Sequence, residues 1–197
     1  AFVCPHATIR PFILDDAEVA AAPENLRTLD AMGPKVKGKK FTLAISPLDC
    51  MGCTVCVTAC PKDALTMVPQ EEELAEQQVF DYCVSKVSEK PEAIAANTKG
   101  SQFKQPLLEF SGSCAGCAET SYARLVTQIA GDRMFISNAT GCSSIWGNPA
   151  ATAPYTTNKD GHGPAWCNSL FEDNAEFGMG MQLGYEAVRA KLVEHTK

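Results

Sequence analysis

Cys50, Cys53, Cys56 and Cys60, with Pro61 directly after the last, satisfy C-x2-C-x2-C-x3-C-P at every position. Three thiolates so close on one loop can take three corners of a cubane, and soft sulfur suits iron and inorganic sulfide. The run predicts a [4Fe-4S] cluster; zinc, the structural alternative, more usually takes two separated C-x2-C pairs. The chain has ten cysteines in 197 residues, and seven of them fall in two tight groups. Cysteines at C-x2-C spacing bridge to one another only with strain, so the grouping points to metal rather than disulfides and to a reducing compartment.

Cys4-Pro5 followed by the apolar stretch at residues 7–14 repeats Cys60-Pro61 followed by the strand-like stretch at residues 64–68. This is an internal repeat with a shortened first copy. In two-cluster ferredoxins the fourth cysteine of one run ligates the other run's cluster. By that rule Cys4 completes the cluster of Cys50, Cys53 and Cys56, while Cys60 serves a second cluster whose other three ligands precede Ala1. The opening Ala1-Phe2-Val3-Cys4 does not read as an initiation region, and the chain is expected to be a piece of a longer protein.

Residues 41–45 alternate like a short strand, residues 16–40 read as a surface connection, and the acidic stretch 71–90 reads as a solvated helix or linker. A boundary is expected at 91–100. Beyond it, a helix at 119–129, a buried strand at 133–138 and a helical stretch at about 169–194 have the rhythm of an α/β domain. Gly178, Gly180 and Gly184 weaken that last helix and suggest close packing against a neighbour. With 17 basic and 23 acidic residues, a net charge of -6 and a pI near 5.1, the chain is a poor match for nucleic acid or an anionic membrane. No apolar run approaches the roughly 18 residues of a membrane span.

Ser111-Gly112-Ser113-Cys114-Ala115-Gly116-Cys117 places a second C-x2-C in a small-residue loop that opens a helix, and Cys142 follows a strand at Asn138-Ala139-Thr140-Gly141. Loops after parallel strands are where α/β folds bind ligands. Three cysteines are one short of a cluster. Cys83 and Cys167 read as buried structural thiols, and a ligand beyond Lys197 is the preferred fourth. On spacing alone this second group also admits zinc.

The stretches SGSCAGCAET, NATGCSSIWG and GPAWCNSLFEDNAEFG resemble the pyruvate:ferredoxin oxidoreductase family, and the resemblance covers essentially the whole chain. It implies an α+β ferredoxin-like two-cluster domain at 1–100 with an acidic linker, then, at 101–197, part of an α/β thiamine-diphosphate-binding domain. It implies that Cys114, Cys117 and Cys142 ligate a cluster near the thiamine and that Glu119 and Cys142 lie against thiamine diphosphate. Gly131-Asp132-Arg133 and Asp160-Gly161-His162 are not the Gly-Asp-Gly run that holds Mg2+ and diphosphate, so the Mg2+ ligands are expected outside these residues. The implied activity is oxidative decarboxylation of pyruvate with coenzyme A, electrons leaving through three [4Fe-4S] clusters to ferredoxin or flavodoxin. The implied setting is a homodimer containing the rest of the same enzyme, in cytoplasm or an anaerobic organelle. The rival readings are another 2-oxoacid as substrate, a non-enzymatic ferredoxin-type carrier and a zinc module. His6, His162 and His195 read as packing or surface residues, and Trp146 and Trp166 as core anchors.

Overall fold

The computed structural model describes residues 1–91, 94–95, 97–147 and 152–196. Its first half is built on a three-stranded sheet of order β1-β3-β2, from β1 (Ile9–Leu14), β2 (Leu29–Asp30) and β3 (Lys40–Ile45). β1 and β3 run antiparallel with Ile9 opposite Ile45 and Leu14 opposite Lys40. β3 alternates, with Thr42 and Ala44 buried and Leu43 exposed between them, as a strand with one packed face requires. β1 is buried along most of its length, because residues 107–111 of the second half lie against its approach: the Phe110 amide donates to His6 O at 3.0 Å, and Glu109 pairs with Arg10.

The connection at 16–40 is largely irregular, as its composition predicts, and carries the short helix α1 (Asp16–Ala20). The four-residue α2 (Val55–Thr58) follows β3. The acidic stretch departs from expectation. It contains α3 (Glu76–Lys86), whose Val79, Phe80 and Cys83 are buried against Leu14, Ala44 and Val87. These positions share one helix face, so the acids are solvated while the apolar stripe closes the sheet's core. Residues 64–68 form no strand. By the logic of the repeat, β1 follows the first Cys-Pro and pairs with β3, which precedes the second run. The partner of residues 64–68 would therefore precede the first copy, and no such strand is among the described residues.

The second half begins with α4 (Thr98–Ser101); the boundary expected at 91–100 lies partly outside the described residues. It continues through α5 (Ala118–Ala130), β4 (Phe135–Ala139), α6 (Cys142–Gly147), β5 (Ala165–Ser169) and α7 (Asn174–His195). β4 and β5 are parallel, Phe135 opposite Ala165 and Ala139 opposite Ser169, an α/β arrangement that needs a crossover such as the one containing α6. β4 is half-exposed rather than buried, since its pair has only two strands and α7 covers part of it. α7 comes closest at Gly178, where a Cβ would stand 3.2 Å from Ser137 Oγ; Gly180 and Gly184 face open space. Cys83 is fully buried, and burial pushes its thiol up to about 12. Cys167 is exposed on β5, contrary to expectation, because no described element covers that side of the strand pair. Trp146 is a core residue, whereas Trp166 is only half-buried. Among the described residues no helix is long and apolar enough to cross a membrane.

Candidate metal centre

The loop after β3 is tied down at its start. Ser46, fully buried, has its Oγ 2.5 Å from Asp49 Oδ2 and 2.9 Å from Oε1 of Gln77 on α3, and the same Oε1 accepts the Leu48 amide at 3.3 Å. The chain then turns through two left-handed residues, Gly52 (φ +63°) and Thr54 (φ +63°), before entering α2. The turn brings Cys50, Cys53 and Cys56 to one cavity of about 1090 Å³, whose wall also contains Cys4, His6, Ile9, Ile45 and Val57. Burial pushes the Cys56 thiol up, and negative charge on Cys4, Cys50 and Cys53 acts in the same direction. Cys60 does not line this cavity.

Cys4 and Cys60 sit in matching turns. The third residue after each is left-handed without being glycine, Ala7 at φ +58° and Asp63 at φ +47°. Such residues are uncommon, and here they turn successive amides toward the sulfur. Burial pushes the Cys4 thiol up, but the Thr8 hydroxyl, 3.2 Å away, and the amides of Thr8, His6 and Ile9 outweigh it and hold the thiol below its ordinary value. At Cys60 the amides of Ala64 (3.4 Å) and Lys62 do the same. Hydrogen bonds to sulfur favour thiolate, the form that binds iron, and tune a cluster's potential.

The second cysteine loop leans on the first. Gly116 is left-handed (φ +76°), and a Cβ there would stand 3.3 Å from Val55 Cγ2 and 3.6 Å from Cys53 Cβ. Glycine is what lets the backbone of the Cys114–Cys117 turn approach so closely. The turn is closed by the Cys117 amide on Cys114 O at 3.0 Å and continues into α5. Beneath it, buried hydroxyls run from Ser111 to Ser113 (2.9 Å) to Thr120 (3.3 Å), with His6 Nδ1 3.5 Å from Ser111 Oγ. Burial holds the His6 imidazole below its usual range, and its Nε2 is buried with no partner among the described residues.

Glu119 lies half-buried in the first turn of α5, where a carboxylate suits the helix dipole. Burial, then the charge of Glu119, pushes the Tyr155 hydroxyl up to about 12. Cys142 opens α6 on the loop after β4 and is exposed, as is Cys114. Among the described residues, no three His, Cys, Asp or Glu side chains are placed to hold a single metal ion. The residues around the cavity suit an iron-sulfur cluster by their chemistry: Cys4, Cys50, Cys53 and Cys56 line it, amides donate to the Cys4 sulfur, and His6, whose Nε2 has no partner among the described residues, is in its wall.

Gly116 and the polar core of α5 were not singled out by the sequence reading. The signal existed in Thr120, Arg124, Thr127 and Gln128, which share one helix face and are all buried, while Tyr122, Val126 and Ile129 are exposed. That face is polar, so a search for apolar stripes passes over it.

Residues 2–64 match the family described as 4Fe-4S dicluster domain. The chain is 56% identical over 186 residues to the pyruvate:ferredoxin oxidoreductase of Moorella thermoacetica, covering 93% of this chain and 16% of that protein. It is 55% identical over 196 residues to the pyruvate-flavodoxin oxidoreductase of Klebsiella pneumoniae, covering 98% and 17%. With the mitochondrial pyruvate dehydrogenase [NADP(+)] of Euglena gracilis it shares 50% identity over 193 residues, covering 98% and 11%. The chain thus spans less than a fifth of the length of these curated relatives.

Proposed function

We propose that this chain, whose relatives along nearly its whole length are pyruvate:ferredoxin and pyruvate-flavodoxin oxidoreductases, is the electron-transfer segment of a pyruvate-oxidising enzyme. The observation that carries the reading is the contact of the two cysteine loops, Gly116 against Val55 and Cys53. Electron transfer between centres depends on proximity, and this contact makes the two loops neighbours.

In this reading Cys4, Cys50, Cys53 and Cys56 hold one [4Fe-4S] cluster. Cys60 contributes to a second, and Cys114, Cys117 and Cys142 to a third with a further ligand. Residues 1–100 form the two-cluster ferredoxin domain, and 101–197 begin the domain that binds thiamine diphosphate, with Glu119 and Cys142 facing that cofactor. Thiamine diphosphate supplies the carbanion chemistry by which pyruvate and coenzyme A give acetyl-CoA, carbon dioxide, a proton and two electrons. The chain's own part is to hold the acceptors in line. Pro5, Thr120 and Ser46 are fully buried around the cysteine turns, which keeps their sulfurs and amides in fixed register. Pyruvate is common to the relatives' names, whereas the partner named varies among ferredoxin, flavodoxin and NADP(+). Ferredoxin or flavodoxin is the acceptor proposed here.

Anaerobic iron and sulfide analysis, with electron paramagnetic resonance of the dithionite-reduced intact protein, tests the reading. Three low-potential [4Fe-4S] centres per chain are expected. Two would reduce residues 101–197 to scaffold, and zinc in place of iron would end the redox reading.

A further inference from the structure

α5 turns its charged residue inward. Arg124 is 2% exposed, and a guanidinium stays protonated in a protein. Its partners are all neutral: Nη1 donates to Gln128 Oε1 at 2.7 Å and Gln102 Oε1 at 3.3 Å, and Nη2 to Phe2 O at 2.7 Å and Ala1 O at 3.4 Å. Nε has no partner, and no carboxylate pairs with Arg124 among the described residues. Arg10, also buried, does have one in Glu109. A buried charge without an opposite charge beside it is unfavourable, and among the described residues Arg124 has no carboxylate partner.

Ala1 O, which accepts from Arg124, also accepts the Cys4 amide at 3.0 Å, so the guanidinium is bonded to the turn that carries Cys4. Burial, the largest influence, and the charge of Arg10 both disfavour the protonated guanidinium, while charge on Cys4 favours it. We propose that Arg124 is the counter-charge of the iron-sulfur cluster held by Cys4, Cys50, Cys53 and Cys56, and that it raises the reduction potential of that cluster. The proposal rests on the reading of those four cysteines as cluster ligands.

A cluster bound by four thiolates carries net negative charge, and reduction adds one electron and so one more. A fixed cation in a low-dielectric surrounding stabilises the reduced form more than the oxidised one. Arg124 thereby makes this cluster the better electron sink. It does so from the helix that starts at Cys117, so a single element presents the neighbouring cysteine loop and sets the potential of the centre that loop touches.

The test is a potentiometric titration followed by paramagnetic resonance in the intact protein, read at the centre that Cys53→Ser removes. Arg124→Gln deletes the charge. Gln128→Glu keeps the guanidinium and places a carboxylate where the 2.7 Å acceptor now stands. Both variants are expected to shift the one-electron equilibrium of that centre at least tenfold toward the oxidised form, about 59 mV, with iron content unchanged. Arg124→Lys retains the charge and is expected to restore most of the potential. A purely structural arginine would leave the midpoint of Gln128→Glu where it was, and that result overturns the proposal. Should Arg124→Gln lose the centre, Gln128→Glu decides alone. If the parent protein has no centre that depends on Cys53, the reading of the four cysteines fails and the proposal falls with it.

Discussion

At the scale of single residues, the matching turns at Cys4 and Cys60 point to different destinations. Cys4 lines the cavity with Cys50, Cys53 and Cys56, and Cys60 does not. Cys4→Ser should therefore alter the same paramagnetic centre as Cys53→Ser, and Cys60→Ser a different one; loss of one and the same centre in all three would contradict the crossed ligation. Gly116 gives a second prediction. Alanine there must adopt φ +76° and stand 3.3 Å from Val55 Cγ2, which costs about 1–2 kcal/mol for the backbone alone. The variant should bleach at lower urea than its parent, and Val55→Ala should recover the steric share but not the backbone share. The cysteine spacing is enough to expect Cys50, Cys53 and Cys56 at one cavity, because spacing along a tight loop constrains where sulfur can go. The Gly116 contact was illegible, since it joins residues distant in sequence through a glycine with no side chain to advertise it.

The extent of an element was more legible than the face it buries. β3 alternates in sequence and in the structure, and β1 and α5 lie within two residues of expectation. The acidic stretch that contains α3 reads as solvated, yet Val79, Phe80 and Cys83 close the core. Residues 64–68 have strand composition but no partner among the described residues, and a strand is made by its partner. α1 is anchored by Glu18, which accepts from Lys90 Nζ at 2.8 Å and from the Ser88 and Asp15 amides. Burial pushes the Glu18 carboxyl up, but these donors outweigh it and hold it at about 2 against an ordinary 4.5. A depressed carboxyl stabilises the fold fully above its unfolded pKa and loses that contribution as pH falls toward the folded value. Glu18→Gln should thus cost on the order of 2 kcal/mol at neutral pH, after allowance for solvent screening. The difference from the parent in urea midpoint should shrink between about pH 4.5 and 2; a difference independent of pH would show that the ion pair with Lys90 is not its source.

At the scale of the whole molecule, the two halves are interlocked at the cysteine turns. Phe110 bonds His6, Arg124 bonds Phe2, and Arg10 pairs with Glu109 while its guanidinium lies 5.1 Å from the Phe80 ring centre and 5.3 Å from that of Phe110. In the proposed function, electrons from pyruvate pass from the Cys114–Cys117 loop to the cluster behind Cys53 before they leave. The direct measurement is anaerobic mixing of the intact Cys53→Ala protein with pyruvate and coenzyme A, following both the paramagnetic signal that depends on Cys114 and the reduction of ferredoxin or flavodoxin. The signal is expected to form while reduction of the acceptor falls to background. Acceptor reduction at the parent's rate would show that electrons leave by a route that bypasses Cys53, and would contradict the proposed path.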